Sequence, residues 1–367
     1  MGLLHRLFTR DHVSARHKAA RLLRGLGFVS PPEAVQWIAT SMCDLHCPHC
    51  YSHAGAKQPG ELTKEEACRL IVDELVKLQR PTFVVAGGEA LLRRDFEAVI
   101  RYAHQRRVPW ALHSHGGWIE REIGVFRECP PLMVAVSLDG PREFHDRFRG
   151  QAGSFDAALR AMKLLKDAGC GEVVAGTTIT RGNADLLADM ASVVMRSAAD
   201  SWGLHLVTPE GRAGDHAEIL PTAVQLRRVA AFARRMRSVM RVELDNEWGS
   251  AGDDDCFYRN DAFMCGAGRF SCVVSATGEV MPCTTTDPGE SQGNVRQAPL
   301  SRIWADGFAA FRTRADPLRS DPYDCWLQTR NGRSCRSSFA FDPFGETATL
   351  DTLRPPSPLY ELTTQQN

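Results

Sequence analysis

Short apolar segments alternate with helical segments along the first two thirds of the chain. The apolar segments are rich in β-branched and aromatic residues, as buried strands are. They are Val35–Thr40, Phe83–Ala86, Trp110–Ser114, Met133–Leu138, Val173–Ile179 and Trp202–Val207. Strands that are apolar throughout and separated by helices form parallel sheets whose faces are covered. The pattern therefore predicts an α/β fold of six β-α steps, either a barrel or a doubly wound sheet.

The segments between these strands have apolar residues at helical spacing. The first helix begins at a capping box formed by Thr63 and Glu66. The other helices are predicted at Asp95–Gln105, Ile119–Arg127, Ser154–Ala168 and Ala184–Met195. We expect all of them to cover the sheet.

Polar and glycine-rich segments follow each predicted strand. They are Cys43–Tyr51, Gly87–Glu89, His113–Gly117, Ser137–Pro141, Thr178–Asn183 and Thr208–Arg212. The carboxyl ends of parallel strands meet at one edge of the sheet, where active sites of such folds lie. We therefore expect these segments to form one site.

The character of the chain changes near Pro221. Val224–Met240 predicts an arginine-rich connecting helix, and beyond residue 253 the chain is rich in glycine and cysteine. Short strands are predicted at Phe270–Ser275 and Val280–Met281, and a helix at Leu300–Arg314. A second, smaller domain is therefore expected after the connecting helix.

Charge and hydropathy exclude several functions. The chain has 44 basic and 44 acidic residues, so no overall field attracts nucleic acid or an anionic membrane. No apolar run is long enough to cross a bilayer. Residues 1–24 are basic with scattered leucines, which predicts an amphipathic extension and not a signal peptide. We expect a cytoplasmic protein without nucleic-acid or membrane partners.

Cysteine is the residue type that points to chemistry. Cys43, Cys47 and Cys50 lie within eight residues of one another, close enough to hold three irons of a cubane cluster and leave the fourth iron open. A zinc site is the alternative, with His46 and His49 supplying nitrogen ligands.

Nine further cysteines complete the total of twelve. Six lie in the last third of the chain: Cys256, Cys265, Cys272, Cys283, Cys325 and Cys335. We interpret the other three, Cys68, Cys129 and Cys170, as small buried hydrophobic residues.

Taken together, these motifs resemble the radical S-adenosylmethionine superfamily. Its signature is Cys43-x3-Cys47-x2-Cys50 followed by an aromatic residue and, after the second strand, by Gly87-Gly88-Glu89. Members with a C-terminal SPASM or twitch domain have phrases similar to Ser137-Leu138-Asp139-Gly140, His145-Asp146-Arg147-Phe148-Arg149-Gly150, Pro209-Glu210-Gly211-Arg212 and Cys265-x12-Gly278-x4-Cys283. The resemblance covers about residues 35 to 340.

The resemblance implies a fold and a division of the chain. The fold is a partial (β/α)6 TIM-like barrel followed by a small α+β iron-sulfur domain. The segments are a helical extension (1–34), the barrel (35–220), the connecting helix (221–252), the SPASM or twitch domain (253–343) and an irregular tail (344–367).

It also implies an enzyme with two kinds of cofactor. Cys43, Cys47 and Cys50 would hold a [4Fe-4S] cluster whose open iron binds S-adenosylmethionine. Reductive cleavage of S-adenosylmethionine would then yield a 5'-deoxyadenosyl radical that abstracts a hydrogen atom from the substrate.

Further residues are expected to contact S-adenosylmethionine. Glu89 would receive its ammonium group, after two glycines, Gly87 and Gly88, that let the backbone approach the ligand. Tyr51 is expected near the adenine, and the ribose contacts are predicted at Ser114, His115, Ser137 and Asp139. Two positions depart from the common pattern: Ala90 replaces a proline, and His113-Ser114-His115-Gly116 replaces Ser-Asn-Gly.

The later cysteines are interpreted as auxiliary ligands. The simplest assignment places one auxiliary [4Fe-4S] cluster on Cys265, Cys283, Cys325 and Cys335. Alternatively, Cys256 or Cys272 substitutes for one of these or ligates a second, incomplete cluster.

Three functions are compatible with the resemblance. The first is modification of a ribosomally made peptide by a crosslink, thioether or epimerisation. The second is oxidation or rearrangement of a small molecule such as a tetrapyrrole or antibiotic precursor, because Cys50-Tyr51-Ser52 and Pro59-Gly60-Glu61-Leu62 resemble haem-biosynthesis relatives. The third is a non-catalytic electron carrier.

The expected partners follow from the first of these functions. A flavodoxin- or ferredoxin-like protein would donate electrons. The extension before Val35 is shorter than a leader-recognition domain of about 80 residues, so a separate leader-peptide-binding protein would supply recognition.

Overall fold

The structure is a computed structural model, and it describes residues 29–245, 248, 266–284 and 288–312. Its centre is a nine-stranded sheet with the order β7-β6-β5-β4-β3-β2-β1-β8-β9. The strands are β1 Ala34–Ile38, β2 Thr82–Ala86, β3 Trp110–Ser114, β4 Met133–Ser137, β5 Val173–Ile179, β6 Ser201–Leu206, β7 Val242–Leu244, β8 Ser271–Val274 and β9 Val280–Met281.

All pairings in the sheet are parallel except that of β8 with β9. The strands from β1 to β7 follow one another in sequence order, as right-handed β-α units do. The sheet is an open, partial barrel, and the six predicted strands are confirmed as β1 to β6.

Helices connect the strands. The first helical segment, α1, consists of Lys64–Glu66, a π-helical stretch Ala67–Val72, and Asp73–Lys77. The others are α2 Phe96–Gln105, α3 Ile119–Glu128, α4 Arg142–Arg149, α5 Ser154–Asp167, α6 Leu187–Arg196, α7 Ala223–Met236, α8 Leu300–Asp306 and α9 Ala309–Arg312. None of the described helices is long and apolar enough to cross a membrane.

The two faces of the sheet differ in size and polarity. The helix-covered face contains the large core, with fully buried side chains such as Trp37, Phe83 and Trp202. The inner face carries a small second cluster, formed by Val84, Ala111, Met133, Ala135 and Val174. Alternation along each strand separates these two sets.

The structure differs from the sequence prediction at four places. Strand β7 was missed because it has only three residues, and helix α4 because its composition is strongly polar. The predicted helix Leu300–Arg314 is interrupted between α8 and α9 at Gly307. Strand β8, predicted in a separate domain, pairs in parallel with β1 and thus extends the barrel sheet.

Candidate functional site

The loop between β1 and α1, residues 39–62, carries the three clustered cysteines, and we call it the cysteine loop. Its two ends are held by one buried side chain. The Arg93 guanidinium donates to the carbonyl oxygens of Ala39 at 2.7 Å and Leu62 at 3.1 Å. Arg93 is also paired with Asp95 at 2.8 Å and lies over the Trp37 ring. The loop therefore enters and leaves the site at fixed points.

Glu61 holds the loop from inside. Its carboxylate accepts hydrogen bonds from the Thr40 hydroxyl at 2.8 Å, the Ser41 amide at 2.9 Å and the Gln58 amide at 3.0 Å. Glu61 is buried, so these charge-assisted bonds replace its hydration. Sequence reasoning assigned no role to Glu61 or Arg93, because the loop groups that they bind are mostly backbone amides and carbonyls, which no side-chain motif records.

The glycine turn after β2 packs directly on the cysteine loop. The Gly88 amide donates to Thr40 O and the Glu89 amide to Met42 O, each at 2.8 Å. A Cβ atom at Gly87 would lie 2.5 Å from Thr40 O, and one at Gly88 would lie 2.3 Å from Met42 O. The glycines thus permit contact between two backbones, which is a different reason from the ligand approach that the sequence suggested.

Glu89 follows that turn and is completely buried. Its Oε2 accepts hydrogen bonds from the Ser114 hydroxyl at 2.9 Å and the His115 amide at 3.0 Å, and its Oε1 accepts one from the Leu91 amide at 3.2 Å. Three of the predicted cofactor contacts, Glu89, Ser114 and His115, therefore lie together at the carboxyl ends of β2 and β3.

The His115 ring lies between two carboxylates. Its Nε2 is 2.9 Å from Asp44 Oδ1 and 3.3 Å from Glu89 Oε2. Burial lowers the pKa of His115, but the two carboxylates outweigh that effect and raise it. Trp118 Nε1 donates to the other oxygen of Asp44 at 2.9 Å. This network fixes Asp44 next to Cys43, whose Sγ lies within 4.8 Å of both Asp44 and His115 ligand atoms.

Asp139 is also buried, and its carboxylate forms an ion pair as well as a hydrogen bond. Arg149 Nε donates to Oδ2 at 2.6 Å and the Thr178 amide donates to Oδ1 at 2.9 Å. Its backbone amide donates to His145 Nδ1 at 3.0 Å. Ser137 is half-buried at the carboxyl end of β4. The ribose contacts of Asp139 and Ser137 remain predictions, and the sequence did not indicate the ion pair.

The loop after β6 closes the cysteine loop from the other side. Arg212 donates from Nε to Cys47 O at 2.9 Å and from Nη1 to Ala54 O at 2.6 Å. A Cβ atom at Gly211 would lie 2.3 Å from Tyr51 O. Backbone contact between these two loops therefore requires glycine at this position as well.

The two aromatic candidates of the loop have different surroundings. Tyr51 is 36% exposed. The His49 ring instead stacks on Phe148 with centroids 4.6 Å apart, and its buried Nδ1 has no hydrogen-bond partner among the described residues. Burial lowers the pKa of His49 to about 3, so the ring is neutral. An unsatisfied buried nitrogen of this kind suits a site that receives a polar ligand.

The thiols fit a soft metal centre. Burial raises the pKa of Cys43 to about 11 and also raises that of Cys47, so a metal must displace their protons. Three thiolates favour an iron-sulfur cluster over harder metal ions. His46 is exposed, and the His49 ring packs on Phe148.

Of the later cysteines, only two are described. Cys283 is half-buried after β9, while Cys272 is buried in the core within β8, and burial raises its pKa to about 12. Cys272 therefore has the surroundings of a core residue. The predicted ligands Cys265, Cys325 and Cys335, and the spare Cys256, lie outside the described residues. Cys129 and Cys170 are buried and Cys68 is half-buried.

Two segments of the chain match known families. Residues 37–191 match the radical SAM superfamily, and residues 265–331 match SPASM, an iron-sulfur cluster-binding domain. The second match begins at Cys265 and contains Cys283 and Cys325.

Curated relatives include synthases of tetrapyrroles and a maturase; a Fe-coproporphyrin III synthase of Methanosarcina barkeri is 36% identical over 37% of this chain and 34% of that protein. The chain is 30% identical to an AdoMet-dependent heme synthase of Oleidesulfovibrio alaskensis, over 76% of each protein. It is 33% identical to the mycofactocin maturase MftC of Mycobacterium ulcerans, over 69% of this chain and 68% of that protein.

Solved structures share the fold. SuiB of Streptococcus suis, bound to its precursor peptide SuiA, superposes with a TM-score of 0.63 over 81% of this chain and 70% of that one. At 12% identity, this likeness concerns the architecture alone.

We predict that Gly88→Ala displaces the cysteine loop, because the added Cβ meets Met42 O. The variant should incorporate less iron on reconstitution and lose about 1–3 kcal/mol of stability. Gly124→Ala is the control: Gly124 is exposed within α3 with open space around it, so alanine should stabilise the helix by about 0.5–1 kcal/mol. Normal iron content and stability in Gly88→Ala would contradict the packing argument.

We also predict a pH effect from His145. Burial lowers its pKa to about 4, so the unfolded chain binds an extra proton below its ordinary value of 6.5. The neutral ring therefore contributes fully to the free energy of unfolding above pH 6.5. This contribution, roughly 3 kcal/mol at most, is lost as the pH falls towards 4. Chemical unfolding of the iron-free chain at several pH values should show a smaller loss for His145→Gln than for wild type. His104→Gln is the control, because it removes an exposed imidazole. If wild type and both variants lose the same stability between pH 6.5 and 4, the role given to His145 is refuted.

Proposed function

Because the chain belongs to the radical S-adenosylmethionine superfamily, we propose that this enzyme modifies a ribosomally made peptide by radical chemistry. Its cofactors are a [4Fe-4S] cluster and S-adenosylmethionine, with auxiliary iron-sulfur chemistry in the SPASM domain. The residues that hold the first cluster are, in this proposal, Cys43, Cys47 and Cys50.

One observation supports this assignment above the others. The loop with the three thiols is hydrogen-bonded through its backbone to the turn that carries the buried Glu89. A carboxylate without solvent and beside a three-thiol site is suited to receive the ammonium group of an amino acid ligand. An electron carrier would have no use for such a carboxylate.

When bound, the cluster and S-adenosylmethionine would supply the chemistry of hydrogen abstraction by a 5'-deoxyadenosyl radical. The protein holds and orients these groups. Glu89 would bind the ammonium, and the Ser114 hydroxyl and His115 amide hold its carboxylate in place. Arg93 and Glu61 hold the loop in place. This matters for the rate, because a displacement of about 1 Å at the reacting groups is costly. Gly87, Tyr51, Ser137 and Asp139 stay predicted cofactor contacts.

The inner face of the sheet is the proposed place of the substrate. At its carboxyl end it presents His113 and His205, with His205 Nδ1 3.0 Å from Asp245 Oδ2. Gly176 and Gly203 flank His205, and a Cβ atom at either would approach its Nε2 to within 3.7 Å. These polar side chains on the face opposite the helices favour a substrate with polar groups that reaches into the barrel.

The peptide class is supported by the mycofactocin maturase, which is 33% identical to this chain, compared with 30% for the heme synthase. A small-molecule substrate is the second candidate, because the heme synthase aligns over a larger share of its own length. A flavodoxin- or ferredoxin-like donor and a separate leader-binding protein belong to the same proposal.

We predict that the anaerobically reconstituted enzyme contains about eight irons and releases 5'-deoxyadenosine from S-adenosylmethionine under reduction. Replacing Cys43, Cys47 and Cys50 with alanine should lower the rate of 5'-deoxyadenosine release by about a hundredfold or more, while the auxiliary iron remains bound. Cys68→Ala, outside the loop, should retain both. Release by the triple variant at the wild-type rate would refute the assignment.

The substrate class is tested by offering two probes to the active enzyme. Short peptides encoded by neighbouring reading frames should show a change in mass that depends on S-adenosylmethionine, while iron-coproporphyrin III remains unchanged. Conversion of the porphyrin, with no change in any peptide, would support the second candidate and overturn the first.

A further inference from the structure

We propose that Arg149 sets the reduction potential of the cluster through its contact with the Cys47 sulfur, and that Asp139 moderates this effect. The inference rests on the proposed ligation of iron by Cys47. It assigns Arg149 a role in tuning the cofactor and not in the hydrogen abstraction.

The contact is buried. Arg149 Nη1 lies 3.9 Å from Cys47 Sγ, at the long end of the hydrogen-bond range for sulfur. Its Nε and Nη2 lie 2.6 and 2.5 Å from Asp139 Oδ2, so the guanidinium bridges the thiol and the carboxylate. Asp139 is fully buried and Arg149 nearly so.

Asp139 is anchored independently of Arg149. Its Oδ1 accepts from the Thr178 amide at 2.9 Å, and its carbonyl oxygen accepts from Asn183 Nδ2 at 2.8 Å. His145 Nδ1 receives its backbone amide hydrogen. Because Asp139 is fixed to β5 and α4, it holds the guanidinium in one orientation towards Cys47.

Other groups around Cys47 do not provide the same contact. Arg212 donates to the carbonyl oxygen of Cys47 and not to its sulfur. The positive charge of Arg149 lies beside the Cys47 sulfur and favours negative charge there.

The direction of the effect follows from charge. Reduction adds one electron to the cluster from an external donor, and no bond in the protein forms or breaks. Donors to ligand sulfur and nearby positive charge stabilise the more negative, reduced cluster and so raise its potential. Asp139 has the opposite sign, but it lies on the far side of the guanidinium and weakens its effect without cancelling it.

A purely structural ion pair makes a different prediction. If Arg149 and Asp139 only connect α4 to the sheet, removing either charge alters folding or iron content but moves the potential in no ordered way. Tuning requires opposite shifts: upwards when the carboxylate alone is removed, and downwards when both charges are removed.

The test is a redox titration of the full-length reconstituted protein with dithionite, without S-adenosylmethionine, followed by electron paramagnetic resonance. The Cys43, Cys47, Cys50 triple alanine variant supplies the auxiliary signal for subtraction. Asp139→Asn should have a higher midpoint potential than wild type, and the Asp139→Asn, Arg149→Gln double variant a lower one. Glu172→Gln is the matched control, since it removes a buried carboxylate paired with Arg241 at the amino end of β5, and its potential should equal that of wild type.

A second measurement needs no charge variant. In protein labelled with 15N-arginine, the reduced cluster should show a weak nitrogen coupling that Arg149→Lys loses and Arg212→Lys retains. The tuning role would be overturned if the midpoint potentials did not shift in opposite directions and the reduced cluster showed no coupling to an arginine nitrogen. Absence of any cluster in the wild-type loop would instead refute the ligation on which the proposal rests.

Discussion

The site depends on buried hydrogen bonds to the backbone of the cysteine loop. A loop of this length has few apolar side chains of its own, so the hydrophobic effect alone cannot fix it. Arg93, Glu61 and Arg212 bind its carbonyl and amide groups, and the glycine turn adds two backbone hydrogen bonds. Each of these charged groups is buried and satisfied, which makes the arrangement specific, because any displacement leaves a charge without partners.

The parallel sheet explains why these groups converge. The cysteine loop follows β1, Glu89 follows β2, Ser114 ends β3, Asp139 follows β4, and Arg212 follows β6. Segments that follow different strands meet at this edge of the curved sheet, so residues more than a hundred positions apart come into contact, as Arg149 and Cys47 do. The helix-covered core supplies the stability that lets this edge carry buried charges.

The same geometry separates two kinds of polar residue. Glu89 and its partners Ser114 and His115 lie against the thiols and form the proposed cofactor side of the site. His113 and His205 lie on the inner face of the sheet, beside residues such as Met133 and Val174. The proposed cofactor contacts thus lie at the strand ends beside the thiols, and the proposed substrate contacts lie on the inner face of the same sheet. Alternation of side chains along β3 is sufficient to produce this division between His113 and Ser114.

Periodicity and local spacing determined the α/β alternation, the first six strands, the three thiols and the turn that carries Glu89. These features are encoded within a few neighbouring residues, so they can be predicted without a partner. Only the tertiary structure decided that Arg149 joins Asp139 to Cys47, that Glu61 and Arg93 hold the loop, and that β8 pairs with β1. A charge in the sequence has many possible counter-charges and backbone acceptors, and burial in one fold selects among them.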